Sequence, residues 1–239
     1  MLTAGRCTKG TVKRKVKLTE LIADRLFVPA CCICGDPAAD GRLPLCGDCA
    51  AEFQSLLTAP CPECGCSKSD CLCPGGSETL FLFYYRSEAG KQIIRSLKRR
   101  PDRRTAAFLG CLIAEKVLRE KSRGFDAVTF VPRMKSRSAE YGGDQSKLIA
   151  EGAAKALGIP LAVLLGRRKS GTEQKLLDAA GRRRNVKKVF YALPEAADYR
   201  RVLLVDDVTT TGATLSECAS ILREAGVRQV VRACAARTP

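Results

Sequence analysis

Beyond residue 76, short apolar runs alternate with segments of helical periodicity. The apolar runs lie at 80–85, 127–132, 161–165, 189–193, 201–208 and 227–236, and such runs are typical of buried strands. Helical segments between them include a basic one that should stop near Pro101, one at 105–118 and one closed by Gly158. This alternation predicts an α/β domain with a largely parallel sheet flanked by helices.

The first third of the chain has a different pattern. Leu18, Leu21, Ile22 and Leu26 share one face of a short amphipathic helix, and Pro74-Gly75-Gly76-Ser77 has the composition of a linker. We therefore expect a basic tail with a short helix over 1–27, a cysteine-rich module over 28–75 and the α/β domain over 76–239.

Cysteines are concentrated in the middle module. Ten of the fourteen lie between Cys31 and Cys73, and without a secretory signal the spacing favours metal over disulfides. Two intervening residues let both thiolates of a C-x-x-C pair reach one tetrahedral ion. The spacing predicts two structural zinc sites, with ligands Cys31, Cys34, Cys46 and Cys49 in the first and Cys61, Cys64, Cys71 and Cys73 in the second. Cys32 is an alternative to Cys31, and Cys66 competes for the second set.

Charge is distributed unevenly. The formal net charge is +16, and residues 76–201 hold 28 basic against 13 acidic residues. Such an excess indicates a polyanionic partner, either nucleic acid or phosphorylated metabolites, or otherwise a solubilising basic surface. No stretch approaches eighteen uncharged apolar residues, and the amino terminus lacks an apolar signal core. We expect no membrane insertion and a cytoplasmic location.

The segment 201–226 carries the candidate chemistry. Its apolar run ends in Asp206 and Asp207, a loop of hydroxyl and glycine residues follows, and a helical segment closes at Gly226. A polar loop at a helix N-terminus binds phosphate monoesters, and carboxylates beside it suit sugar hydroxyls or a metal ion. No G-x-x-x-x-G-K-[ST] motif supports a P-loop ATPase. A site for a phosphate directly beside a site for sugar hydroxyls indicates that the ligand is a phosphorylated ribose.

VLLVDDVTTTGAT (202–214) closely resembles the 5-phosphoribosyl-1-diphosphate (PRPP) signature of type I phosphoribosyltransferases. From residue 18 to the C-terminus, the cysteine module followed by that domain resembles the ComF (ComFC) family. Further matching runs lie at 93–98, 144–150 and 173–190. The chain departs from the family pattern around Pro132. Members of the family usually read V-P-V-P, then a basic stretch and R-G-F-N-Q-A, whereas this chain reads T-F-V-P-R-M-K, followed further on by Y-G-G-D-Q-S.

The resemblance implies a type I phosphoribosyltransferase fold with a small zinc-ribbon module, and it implies roles for individual residues. Asp206 and Asp207 would bind the ribose hydroxyls, and Mg²⁺ would accompany the diphosphate. The loop from 167 to 185 would close over the site. The 5-phosphate would be held by Thr209, Thr210, Thr211, Gly212, Ala213 and Thr214, and the diphosphate by Lys98, Arg133, Lys135 and Arg137.

Three functions are compatible with these features. The first is phosphoribosyl transfer to a nitrogenous acceptor, linked to DNA uptake; the second is a PRPP sensor that binds single-stranded DNA; the third is an adaptor that docks a competence helicase. Aromatic residues make up only 5% of the chain, which limits base stacking. The candidates for stacking are Phe81, Phe83, Tyr84, Tyr85 and Tyr141.

Overall fold

The computed structural model describes residues 29–38, 43–67, 79–99, 102–120, 124–133, 143–168 and 189–238. Its helices are α1 (Gly47–Thr58), α2 (Glu88–Arg99), α3 (Arg103–Glu120), α4 (Gln145–Leu157) and α5 (Ala213–Glu224), with a 3₁₀ helix at Pro194–Asp198. Its strands are β1 (Thr79–Tyr84), β2 (Ala127–Phe130), β3 (Leu165–Arg167), β4 (Phe190–Ala192), β5 (Arg201–Thr209) and β6 (Gln229–Arg237). The predicted helix over 18–27 lies outside the described residues.

The main sheet has the strand order β1-β6-β5-β2, and each neighbouring pair is parallel. Parallel strands place their carboxyl ends at one edge, where open α/β sheets bind ligands. β5 is an inner strand, paired with β6 and β2, so its carboxyl end lies near the middle of that edge. The α/β class and the largely parallel sheet predicted from the sequence are confirmed.

The sheet is covered by helices on both faces. Leu203 and Val205 of β5 belong to one hydrophobic cluster with α3 and α4, whereas Val202 and Leu204 belong to a second cluster with α5. Because strand side chains alternate between faces, this division places β5 between two packed layers. All four side chains are fully buried, which explains why the sequence of β5 is continuously apolar.

The runs at 161–165 and 189–193 contribute less to the sheet than their apolar character suggests. Leu161 forms only an isolated parallel bridge with Val128, and β3 pairs antiparallel with β4 as a separate two-stranded sheet. The residues between these strands, 169–188, lie outside the described part of the chain. Within the described ranges, no helix combines the length and apolar character needed to cross a bilayer.

The cysteine module packs directly on the α/β domain through α1. Phe53 of α1 is completely buried, with its ring 5.4 Å from that of Phe83 on β1 and 5.6 Å from that of Phe108 on α3. The Arg104 guanidinium donates to the backbone carbonyl of Leu43 at 2.9 Å. A module with few large apolar residues therefore completes its core with side chains of the larger domain.

Candidate functional site

The carboxyl end of β5 brings the two predicted aspartates next to the predicted phosphate loop. Asp206 and Asp207 are buried at the strand end, and the loop 210–212 leads directly into α5. Thr209 and Gly212 are buried, whereas Thr210, Thr211, Ala213 and Thr214 are exposed. An acidic strand end is thus followed at once by an open polar turn, in the arrangement that the sequence predicts.

Asp206 is held by two hydrogen bonds. The Ser146 hydroxyl, at the start of α4, donates to Asp206 Oδ1 at 2.7 Å, and the backbone N–H of Asp207 donates to the same oxygen at 2.9 Å. Burial, followed by the charge of Asp207, raises the pKa of Asp206 to about 8. Hydroxyl donors from a bound sugar would stabilise the ionised form, because hydrogen bonds to a carboxylate favour its charge.

Asp207 forms an ion pair with Arg133, whose guanidinium donates to Asp207 Oδ2. Arg133 lies just beyond β2, and its backbone N–H donates to Asp144 Oδ2 at 3.1 Å. The other carboxylate oxygen of Asp144 caps α4 by accepting from the backbone N–H of Lys147 at 3.3 Å. Burial raises the pKa of Asp144, against the opposing effect of these backbone donors. Asp144 therefore joins the start of α4 to the backbone of Arg133.

The loop after β5 has the geometry of an anion site. Gly212 has a φ of +78°, a left-handed conformation that glycine adopts without strain, and it occupies the N-cap of α5. The Gly212 carbonyl accepts from the backbone N–H of Ser216 at 2.8 Å, which begins the helix. The first N–H groups of a helix have no intrahelical acceptor, and here they adjoin exposed threonine hydroxyls. These groups suit a phosphate monoester.

Not every predicted ligand can be placed. Lys98 lies on α2, but its side chain is outside the described part of the structure, as are Lys135, Arg137 and the closing loop at 169–185. Of the predicted diphosphate ligands, Arg133 is the one that the described residues bring to the acidic pair. Asp144 and Ser146 were not identified from the sequence, although an aspartate preceding a helical pattern is a readable N-cap signal.

The prediction of aromatic stacking platforms is wrong for three of its residues. Phe81, Phe83 and Tyr84 expose only 2%, 0% and 7% of their surface, because β1 is packed on both faces. Tyr85 is half-buried against the core, and Tyr141 lies outside the described residues. The continuous apolar run at 80–85 is itself typical of a buried strand, and all six residues of β1 are buried.

The first predicted cysteine set converges to one point. The four sulfur atoms of Cys31, Cys34, Cys46 and Cys49 all lie within 4.8 Å of one another. The sulfur atoms of Cys34 and Cys46 are 3.7 Å apart, close to the edge of about 3.8 Å that a tetrahedron with zinc–sulfur bonds of about 2.3 Å requires. These residues fit a structural zinc ion with a closed coordination sphere.

Cys31, and not Cys32, belongs to this cluster. Burial raises the pKa of Cys32 to about 11. Burial acts in the same direction on Cys31, but backbone donors from Cys34, Cys46 and Ile33 outweigh it and lower the pKa to about 7. Geometry decides between the two residues, because Cys31, and not Cys32, is one of the four cysteines whose sulfur atoms lie within 4.8 Å of one another.

The second set is only half described. The backbone N–H of Gly65 donates to the Cys61 carbonyl at 2.9 Å and that of Cys61 to the Cys66 carbonyl at 2.8 Å. The same two backbone hydrogen bonds form the turn at 31–36, where the N–H of Gly35 donates to the Cys31 carbonyl and that of Cys31 to the Asp36 carbonyl. We call the turns at 31–36 and 61–66 the first and the second knuckle. Cys71 and Cys73 lie outside the described residues, so the ligands of a second site, Cys66 included, stay a prediction.

Comparison with known proteins agrees with this architecture. Residues 144–239 match the model of the phosphoribosyl transferase domain. Competence protein F of Haemophilus influenzae is 30% identical over 194 residues, which cover 78% of this chain and 82% of that protein. The DNA utilization protein YhgH of Escherichia coli K12 is 28% identical, with coverage of 89% of this chain and 99% of the relative.

Among solved structures, a glutamine phosphoribosylpyrophosphate amidotransferase from B. subtilis aligns at 29% identity with a TM-score of 0.38. The alignment covers 52% of this chain and 24% of that enzyme. The relationship to competence protein F extends over most of both chains. The chain therefore belongs to the competence protein F (ComF) family and carries a phosphoribosyl transferase domain.

Proposed function

We propose that the protein binds PRPP with Mg²⁺ at the carboxyl end of β5 and transfers its phosphoribosyl group to a nitrogenous acceptor. The observation that carries the proposal is the buried pair Asp206 and Asp207, followed directly by an exposed hydroxyl and glycine loop at the start of α5. The carboxylates bind the ribose hydroxyls, and the loop from Thr209 to Thr214 binds the 5-phosphate. The family's phosphoribosyl transferase domain supports the same assignment.

The proposed transfer forms one bond and breaks one bond at the anomeric carbon. An acceptor nitrogen bonds to that carbon, the bond to the diphosphate oxygen breaks, and the acceptor nitrogen gives up its proton to a base. Mg²⁺, when bound with the diphosphate, would offset the negative charge of the leaving group. Carboxylates beneath the sugar stabilise positive charge that develops on the ribose. Because the chain contains no histidine, proton removal depends on a carboxylate, a lysine or the acceptor itself.

In this proposal, zinc is structural and stays away from the transfer. Cys31, Cys34, Cys46 and Cys49 hold the ion, and four thiolates leave no open position for a substrate. The ion fixes the start of α1, since Cys46 caps that helix and Cys49 lies in its first turn. The zinc site thereby supports the helix that packs on β1.

Isothermal titration with PRPP and Mg²⁺ tests the assignment. The double variant Asp206→Asn and Asp207→Asn should lose at least about a hundredfold in affinity, because two hydrogen-bonded charges on the sugar disappear. Asp198→Asn is the matched control, since Asp198 is exposed and precedes the amino end of β5. Unchanged affinity in a folded double variant would reject the site. Release of diphosphate on adding an acceptor separates an enzyme from a sensor.

Single-stranded DNA binding is the second candidate, as the activity of a non-catalytic protein that senses PRPP; docking of a competence helicase is the alternative role for such a protein. It is supported by 28 basic against 13 acidic residues over 76–201 and by a relative named for DNA utilization. The burial of three of the five candidate stacking rings weakens it. Binding through phosphates should weaken steeply between about 50 and 200 mM salt. A flat salt response, measured by fluorescence anisotropy with labelled oligonucleotide, contradicts this candidate.

A further inference from the structure

A wide-mouthed cavity of about 320 Å³, open to solvent, lies between the cysteine module and the carboxyl end of β1. The module contributes the end of α1 and the start of the second knuckle, and the domain contributes the turn after β1. Its lining includes Leu56, Ala59, Pro60, Pro62, Tyr84 and Arg86. The volume is in the range of small-molecule sites.

The cavity lies at the same edge of the sheet as the acidic pair and the phosphate loop. Tyr84 pairs with Arg237 on β6, and Arg237 pairs with Thr209, the last residue of β5. Two strand spacings separate Tyr84 from Thr209, which is about 10 Å. Because all three strands are parallel, both features lie at their carboxyl ends. A ligand in the cavity is therefore a neighbour of a sugar phosphate bound at β5.

The walls of the cavity are mostly apolar. Two prolines, Leu56 and Tyr84 contribute to them, and the Tyr84 ring makes an edge contact with Phe81, with ring centroids 4.9 Å apart. Such walls suit the faces of a planar ring.

The two polar side chains that line the cavity differ in the hydrogen bonds that they can offer a ligand. The Ser87 hydroxyl, which also lines it, already accepts from the backbone N–H of Gly90 at 3.0 Å. Arg86 is exposed and presents a guanidinium, which has donors and no acceptor. A ligand that pairs with Arg86 must therefore present acceptor atoms, and two adjacent acceptors pair best with its fork.

We propose that this cavity is the acceptor site, and that it takes a planar nitrogen heterocycle with an exocyclic carbonyl oxygen or a carboxylate. The proposal rests on the proposed transfer, which needs an acceptor held at the edge where the anomeric carbon lies. It gives the cysteine module a part in substrate selection, because Pro60 and Pro62 flank Cys61 in the module's second knuckle. The module then forms one wall of the site, and the metal cluster holds α1 in place beside it.

The experiment measures binding of three probes to the full-length, zinc-loaded protein saturated with PRPP and Mg²⁺. Hypoxanthine offers an adjacent oxygen and nitrogen to Arg86, orotate offers a carboxylate, and adenine offers no oxygen. We expect hypoxanthine or orotate to bind at least tenfold more tightly than adenine. Ala59→Phe, which fills the cavity, and Arg86→Ala should each weaken that binding at least tenfold. Ala51→Phe on exposed α1 surface and Arg119→Ala on α3 are matched controls.

The outcomes distinguish a failure of the acceptor-site proposal from a failure of the proposed function. If the wild type does not bind PRPP, the proposed function fails and the acceptor assignment fails with it. If PRPP binds and Ala59→Phe leaves both PRPP and probe affinities unchanged, the cavity is not the acceptor site. PRPP binding without any of the three probes binding overturns the acceptor proposal alone. Loss of probe binding with PRPP affinity retained supports it.

Discussion

The ion pair between Arg133 and Asp207 sets the charge of the site before a ligand arrives. Arg133 is largely buried and Asp207 is almost fully buried, so each charge depends on the other for compensation. A ribose hydroxyl that approaches Asp207 competes with Arg133 for the carboxylate. In the proposed complex, PRPP would resolve that competition, because its diphosphate would offer Arg133 a new anionic partner, whereas ribose 5-phosphate would offer none at that position.

Arg133→Ala should therefore reduce selectivity for PRPP over ribose 5-phosphate. We expect the ratio of the two affinities to fall by about tenfold or more, since a charge-assisted hydrogen bond contributes roughly 1.5–3 kcal/mol. Arg133→Lys retains the charge and should restore part of the ratio. Calorimetric titration of both ligands on the three proteins provides the measurement. An unchanged ratio in Arg133→Ala would show that Arg133 does not contact the diphosphate.

At this scale, the sequence predicted the acidic pair at the end of β5 and Arg133 beyond β2, and missed the two groups that the start of α4 delivers. Asp206 and Asp207 were found because carboxylates ending an apolar run have few structural reasons to be there. Ser146 and Asp144 were not, since Ser146 lies 60 positions from its partner Asp206 and Asp144 reaches the site through Arg133. Only the folded chain brings the start of α4 to the end of β5.

The turn between β5 and α5 depends on one backbone conformation. Gly212 has a positive φ, and a Cβ there would meet only the Thr79 hydroxyl at 3.9 Å. The cost of a side chain at this position is therefore conformational and not a clash. A left-handed conformation costs a non-glycine residue about 1–2 kcal/mol, and relief of that strain would move the amides proposed to bind the phosphate.

Gly212→Ala should lower both stability and PRPP affinity, whereas Gly158→Ala should lower stability alone. Gly158 has a φ of +68°, has open space around its Cβ position and ends α4 away from the phosphate loop. Both variants carry the same kind of strain, so each should lose about 1–2 kcal/mol of unfolding free energy. Denaturant unfolding and PRPP titration of the pair provide the comparison. Equal PRPP affinities in the two variants would argue against a phosphate at this turn.

Apolar runs predicted the existence of the elements better than their pairing. The run at 161–165 begins as a parallel bridge to β2 and then turns into the antiparallel β3–β4 pair. Periodicity does not encode the direction of a partner strand, so parallel and antiparallel pairing are alike in sequence. The helix α1 was missed for a different reason. Cys46 and Cys49 have the spacing of metal ligands, and this spacing does not by itself indicate the helical turn that also joins them.

At the scale of the molecule, the cysteine module and the α/β domain share one hydrophobic cluster. That cluster contains Cys31, Leu45, Cys49 and Phe53 from the module together with Phe83 and Leu109 from the domain. A module joined in this way does not need a large core of its own. A metal ion held by Cys31, Cys34, Cys46 and Cys49 would order the start of α1, and α1 would transmit that order to the sheet through Phe53.

Loss of the metal should consequently destabilise the whole protein. Cys49→Ser removes one ligand from the first turn of α1, so we expect zinc content to fall and a single, lower thermal transition to replace that of the wild type. Truncating a buried phenylalanine costs about 3–5 kcal/mol of unfolding free energy. The same amount is the upper limit that we expect for Cys49→Ser if the Phe53 ring leaves its buried position. Cys111→Ser on α3, outside the cluster, should retain both zinc and melting temperature. A domain that does not depend on α1 would melt as it does in the wild type. The shared core would therefore be contradicted if Cys49→Ser showed two separate thermal transitions and the transition with the larger amplitude kept the wild-type melting temperature.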